Sequence, residues 1–220
     1  MTLYVTFFYE TEKPAPAKDA ASEMAMLTLK VVVVGSCACG KTTLIRTFLR
    51  NDVRDTVPSP TVQEVYTGHI QHHRTEVRLV IWDTGDSDLL LDPSRSSCYA
   101  EADVVLLCFS VRDIFSPSEV PSRWAKEIRH FNPLVPVLLV ATQIDLREDP
   151  NIVRELAQIK CRPISVAEGF QLAQAVRAAH YVECSAMNLD SVRKVFESVL
   201  QTCHKTTTDQ RRRRKWKCCW

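Results

Sequence analysis

The stretch Leu29-Lys30-Val31-Val32-Val33-Val34-Gly35-Ser36-Cys37-Ala38-Cys39-Gly40-Lys41-Thr42 decides the architecture. An apolar, β-branched run ends on the pattern G-x-x-x-x-G-K-[ST], so a buried strand delivers the chain to a tight turn and then to a helix start. Phosphate binding needs that order. The backbone of Gly35, Cys37, Cys39 and Gly40 turns N–H groups on phosphate oxygens, and Lys41, Thr42 and Thr43 open a helix whose dipole adds positive potential. Lys41 reaches terminal phosphates as a point charge, and the Thr42 hydroxyl is a ligand for Mg²⁺. The alternative is a strand-to-helix turn carrying a solvated lysine. The loop interior, Ser36-Cys37-Ala38-Cys39, contains no glycine.

Outward from this loop, 220 residues allow one ordinary domain with tails. The apolar fraction of 45% is that of a soluble globular protein, and no run reaches the length of a membrane span. Met1–Tyr9 is apolar and aromatic but has no basic leader, so no signal peptide is expected. Nine cysteines, an odd number without metal-type or disulfide-type spacing, read as reduced cytosolic thiols. The net charge of +2 is unevenly placed: from Lys205 onward seven basic residues face one acid, which leaves residues 1–204 acidic. A basic tail on an acidic body argues against a nucleic-acid-binding face.

Residues 1–26, with Pro14 and Pro16, read as a disordered extension, 27–204 as the folded domain and 205–220 as a polybasic tail. Strands are predicted at 28–34, 64–71, 76–82, 103–109, 135–141 and 180–183, and helices at 41–50, 118–131, 166–179 and 189–203. Val31–Val34, Val104–Leu107 and Val135–Val140 are apolar on both faces, as strands buried between helices are. The better alternation of 64–82 predicts a hairpin with one antiparallel edge strand. The expected fold is a three-layer α/β sandwich around a mostly parallel six-stranded sheet, with ligand loops at the carboxyl ends of the strands.

Four further segments fall at such loops. Asp83 follows the third strand and can hold Mg²⁺, and Thr61, in Ser59-Pro60-Thr61-Val62, can close over the metal and γ-phosphate. Thr142-Gln143-Ile144-Asp145 follows the fifth strand and Cys184-Ser185-Ala186-Met187 the sixth. The Asp145 carboxylate can accept both N1–H and the 2-amino group of guanine, a pairing adenine does not offer. Such a site discriminates by roughly 10⁴.

Together with Pro60-Thr61-Val62, Trp82-Asp83-Thr84, Leu106–Ser110 and Glu183–Ala186, these motifs resemble the Rho branch of the Ras-like small GTPases from about Leu27 to Thr202. Residues 146–169, with Arg154-Glu155-Leu156-Ala157 inside, are similar to the helical insert that marks that branch. The Ala141-Thr142-Gln143-x-Asp145 motif is also similar to that of atypical, hydrolysis-deficient members such as RhoH. The resemblance implies a P-loop GTPase fold, GTP/GDP and Mg²⁺ as cofactors, and Thr142, Gln143, Asp145, Ser185 and Ala186 around the base. It also implies metal contacts from Thr42, Thr61 and Asp83, effector proteins at 51–67 and 83–99, and exchange factors as partners.

The departures bear on turnover. Cys37 stands where the family keeps a glycine beside the γ-phosphate, and a side chain there crowds the attacking water and a partner's arginine finger. The family's Asp-Thr-Ala-Gly-Gln becomes Asp83-Thr84-Gly85-Asp86-Ser87, with Asp86 or Ser87 near the usual glutamine and no glutamine anywhere from Asp83 to Tyr99. Asp86 also brings a carboxylate towards the phosphate, where like charges at ~4 Å repel by about 4 kcal/mol. Val53 replaces an aromatic ring over the base, and Gln143 and Met187 replace lysines. Cys37 and Cys39, beside Lys41 and a helix N-terminus, can be redox-sensitive or simply packed. His69, His72 and His73 read as a solvated turn.

The tail, Arg211-Arg212-Arg213-Arg214-Lys215-Trp216-Lys217-Cys218-Cys219-Trp220, suits an anionic membrane surface, with Cys218 and Cys219 as lipidation candidates. It is not a C-a-a-X box, since Lys217 stands fourth from the end. A nuclear-localisation run or a solubilising tail is the alternative. The sequence therefore predicts a Rho-type switch at the cytoplasmic face of plasma or endosomal membrane with weak or absent hydrolysis. Its rivals are a conventional cycling GTPase, a non-enzymatic adaptor with degenerate nucleotide binding and, more distantly, an ATP-using P-loop enzyme.

Overall fold

A computed structural model describes residues 27–52, 63–72, 75–85 and 93–217, with side chains described as far as Cys203 in the last helix. Six strands form one sheet: β1 (Leu27–Val34), β2 (Gln63–His72), β3 (Thr75–Thr84), β4 (Val104–Ser110), β5 (Val137–Thr142) and β6 (His180–Glu183). Their order is β2-β3-β1-β4-β5-β6. Only the β2–β3 pair is antiparallel. This is the mostly parallel sheet expected, with the 64–82 hairpin supplying the antiparallel edge.

The valine run explains why β1 is central. Val31 and Val33 enter one core with Leu44, Ile45 and Phe48 of α1 (Lys41–Arg50) and Val192, Val195 and Phe196 of the last helix. Val32 and Val34 enter the other with Tyr99, Trp124 and Ile128. All four valines are fully buried, each contributing about 1.5 kcal/mol or more. Phe48 and Phe196 stack at 3.7 Å between ring centroids and join α1 to that helix.

The second face is covered by α2 (Pro93–Tyr99), α4 (Ala125–Phe131) and α6 (Val166–Ala175), with Val120 and Trp124 from the turn between α3 (Ser116–Glu119) and α4. The helix expected over 118–131 is interrupted by a π-helical turn, Val120–Trp124, between α3 and α4. Pro121 accounts for it: proline has no N–H to donate and its ring crowds the carbonyl four residues back, so the turn widens. The insert is a 3₁₀ turn, Ile144–Arg147, followed by α5 (Pro150–Gln158). Asp149 caps α5 by accepting from the N–H groups of Asn151 and Ile152. Ser165 and Glu168 form a capping box at the start of α6.

The last helix, α7 (Leu189–Lys217), continues past the expected end at 203, and no glycine or proline lies within its sequence to stop it. Among the described residues no helix is long and apolar enough to cross a membrane. The extension 1–26, Cys218 and Cys219 lie outside the described residues.

Candidate functional site

The phosphate loop leaves β1 at Gly35, where φ is +143° and a Cβ would stand 2.0 Å from the Cys108 carbonyl oxygen on β4. Glycine is required there by both conformation and space. Gly40, at φ +88°, caps α1 with no side chain. Between them Ala38 holds φ +56°, a left-handed conformation uncommon for alanine. Cys39 is buried, with its Sγ 3.7 Å from the Cys108 carbonyl, whereas Cys37 projects to the exposed side. Of the two loop thiols only Cys37 faces outward.

Lys41 is folded over the loop, its Nζ donating to the carbonyls of Gly35 at 2.7 Å and Ser36 at 3.0 Å. Thr42, on the first turn of α1 with Thr43 beside it, donates its hydroxyl to Asp83 Oδ2 at 2.6 Å. Two of the predicted metal-binding residues are thus in direct contact. Asp83 is fully buried at the end of β3, and burial pushes its carboxyl above the usual range, against the Thr42 hydrogen bond and the Lys41 charge. Its other oxygen, Oδ1, has no hydrogen-bond partner among the described residues. A buried, unpartnered carboxylate oxygen beside a threonine hydroxyl fits a hard divalent cation that takes few protein ligands, the habit of Mg²⁺. Thr61, Asp86, Ser87 and Val53 lie outside the described residues.

The base end is brought to the same place by β5 and β6. The Thr142 hydroxyl lies 2.5 Å from the carbonyl of Cys39 and 2.9 Å from that of Phe109, so it ties β5 to the phosphate loop. Gln143, at φ +55°, accepts from the Ser110 hydroxyl at 2.5 Å and donates to the Ala38 carbonyl at 3.3 Å. Asp145 is exposed on the 3₁₀ turn, and its Oδ1 accepts from the Ser185 hydroxyl at 2.5 Å. Ser185 Oγ accepts in turn from the Met187 N–H, which tightens the loop carrying Ala186. The predicted phosphate and base residues within the described chain therefore converge on one line, from Lys41 through Gln143 to Asp145.

Sequence reasoning missed the side chains that hold this line. Ser36 donates to Glu119 Oε2 at 2.8 Å and accepts from the indole N–H of Trp124 at 3.1 Å, so the π-helical turn supports the loop from behind. Trp124 lies beneath Arg95 of α2, whose guanidinium pairs with Glu127 through two hydrogen bonds of 2.8 Å in the interior. Tyr99 also donates to Glu127, and burial beside that carboxylate drives the phenol far above its usual range. Pro121 was the available signal for a widened turn. The Glu127 and Glu119 partnerships left none in the sequence.

A family model described as the Ras family matches residues 30–205. The human protein "Rho-related GTP-binding protein RhoB" is 41% identical over 176 residues, covering 80% of this chain and 88% of its own length. The mouse and rat proteins of the same name match to the same extent. A family match over most of the chain agrees with the G-x-x-x-x-G-K-[ST] loop, the buried Asp83 carboxylate and the Asp145–Ser185 contact arranged around one sheet. The chain belongs to the Ras family of small GTPases, and its similarity to RhoB supports the Rho branch within it.

Proposed function

We propose that this protein is a Rho-type guanine-nucleotide switch that binds GTP or GDP with Mg²⁺, turns GTP over slowly or not at all, and signals through effector proteins. Asp145 recognises the base, accepting from N1–H and the 2-amino group while Ser185 holds its other side. Lys41 exchanges its two loop carbonyls for phosphate oxygens. Thr42, Asp83 and Thr61 hold the cation, which neutralises phosphate charge when bound. The observation that carries the slow-turnover reading is Cys37, exposed on a loop whose neighbours Gly35, Cys39 and Gly40 are fixed. Its side chain occupies space needed by water and by a partner's arginine. The absence of glutamine from Asp83 to Tyr99 removes the usual group that orients that water. Partner-accelerated hydrolysis in this fold draws on roughly 10⁵-fold, about 7 kcal/mol, from those two elements, and the Ala141-Thr142-Gln143-x-Asp145 motif adds a likeness to hydrolysis-deficient members such as RhoH.

Effectors meet the chain at 51–67 and 83–99, and exchange factors are further partners. The Lys205–Lys217 charge, with lipid on Cys218 or Cys219, holds it to the cytoplasmic face of plasma or endosomal membrane. Denaturing release and chromatography of the nucleotide bound to purified protein reads the GTP-to-GDP ratio, and mostly GTP is expected. Single-turnover hydrolysis with a Rho-type activating protein should show little stimulation. Strong stimulation would establish conventional cycling instead, and protein purified empty, with no Mg·GTP thermal shift, would establish an adaptor.

A further inference from the structure

The 3₁₀ turn that carries Asp145 ends on Arg147, and Arg147 grips the strand that leads to the other base loop. Its Nη1 and Nη2 donate to Glu183 Oε2 at 2.9 Å and Oε1 at 2.6 Å, while Nε donates to the Ile164 carbonyl at 3.0 Å. Both side chains are mostly buried, at 20% and 22% exposure. Glu183 is the last residue of β6 and stands two residues before Ser185. It is held from a second side by the Tyr181 hydroxyl at 2.7 Å. Tyr181 is wedged in turn against Gly169, where a Cβ would come within 2.0 Å of its oxygen. Glu183 is thus a fixed point.

Among the described residues the turn is held by one backbone bond, from the Ile144 N–H to the Cys184 carbonyl at 3.4 Å, and by three side-chain ties. At its start Gln143 is pinned to Ser110 and Ala38, in its middle Asp145 meets Ser185, and at its end Arg147 meets Glu183. Only the middle tie involves Asp145 itself, a single hydrogen bond on an exposed side chain. A carboxylate that accepts two hydrogen bonds from one base must keep its plane aligned with that base, which one bond to a serine does not fix. The bidentate guanidinium–carboxylate fork does fix a direction, and it fixes the turn against the strand that supplies Ser185.

We infer that Arg147, paired with Glu183, is a positioning residue for guanine recognition: it orients Asp145 towards the N1–H and 2-amino edge without touching the nucleotide. The inference rests on the guanine-nucleotide reading above. Its test compares GDP with inosine diphosphate, which lacks the 2-amino group, by displacement of a fluorescent GDP from the full-length protein, alongside thermal melting. The wild type should prefer GDP strongly. In Arg147→Met that preference should shrink by roughly tenfold, with GDP affinity falling more than inosine diphosphate affinity. Arg147→Lys, which keeps charge but not the fork, should fall between the two. Glu183→Gln tests the same fork from the other side should Arg147→Met fail to fold. Variants that melt earlier yet keep the wild-type GDP preference would reduce the pair to a structural bridge and overturn the inference. A wild type with no preference between the two nucleotides would overturn the guanine reading itself, and this inference with it.

Discussion

The two ends of the proposed nucleotide site, a phosphate end and a base end, are built differently. At the base end each side chain has its partner: Thr142 on the loop carbonyl, Gln143 between Ser110 and Ala38, Asp145 on Ser185, Arg147 on Glu183. At the phosphate end Lys41 is turned on its own loop, Asp83 keeps one buried oxygen unpartnered among the described residues, and Cys37 faces outward. The base end is organised in advance by the protein, so recognition there costs little reorganisation. The phosphate end is completed by what binds, and its chemistry depends on the groups that arrive. On the function proposed above, a few phosphate-end residues change turnover while the base end keeps its specificity.

The entry of the phosphate loop is the exception at that end, and it gives the largest expected effect. Gly35→Ala places a methyl 2.0 Å from the Cys108 carbonyl at φ +143°. The strain and overpacking should cost about 3 to 5 kcal/mol of folding stability, read by urea unfolding. A change under about 1 kcal/mol would show that the loop adapts as freely as the rest of the phosphate end.

The base end is tested next by Asp145→Ala. Losing an ionised acceptor of two hydrogen bonds should weaken GDP binding by about 3 kcal/mol, roughly 150-fold. The melting temperature without nucleotide should change little, because the carboxylate is exposed and bonded to the Ser185 hydroxyl. Equal losses in stability and affinity would mean that the base end is not organised independently of the ligand.

Much of this arrangement is legible in the sequence, for a physical reason. Val31–Val34 and Val104–Leu107 announce central strands because burial on both faces leaves no room for alternation, and the phosphate pattern is local in the chain. Helix α2 was missed because Pro93–Tyr99 contains four polar residues in seven, three of them serine, and draws its place from buried Arg95 and Tyr99. The Arg147–Glu183 fork joins residues 36 apart, and the Ser36–Trp124 bond joins residues 88 apart. Neither has a spacing rule, because the pairing is created by strand order rather than by helix or strand period.

Cys37→Gly addresses the phosphate end directly. It removes the exposed side chain from the loop while the glutamine remains absent, so only one of the two proposed obstacles is lifted. Single-turnover hydrolysis with an activating partner should rise by about tenfold, the effect of about 1.4 kcal/mol in the barrier, with GDP affinity unchanged. An unaltered rate would place the whole defect in the segment after Asp83.

The smallest expected effect separates strain that serves the loop from strain that serves nothing but the fold. Lys160 follows α5 at φ +56° in a Schellman ending, with Cys161 N–H on the Leu156 carbonyl at 2.9 Å and its own N–H on that of Ala157 at 3.0 Å. Ala38 has the same φ, +56°, inside the phosphate loop. A left-handed non-glycine residue costs about 1 to 2 kcal/mol, and glycine gives back about 0.4 to 1 of that as unfolded-chain entropy. Lys160→Gly should therefore stabilise the fold by about 0.5 to 1 kcal/mol and leave nucleotide exchange alone. Ala38→Gly should relieve the same strain, but it also frees the carbonyl that Gln143 holds, so GDP should dissociate about two- to threefold faster. If both variants leave dissociation unchanged, the bond between Gln143 and the loop does not help retain nucleotide, and the two ends of the site act separately.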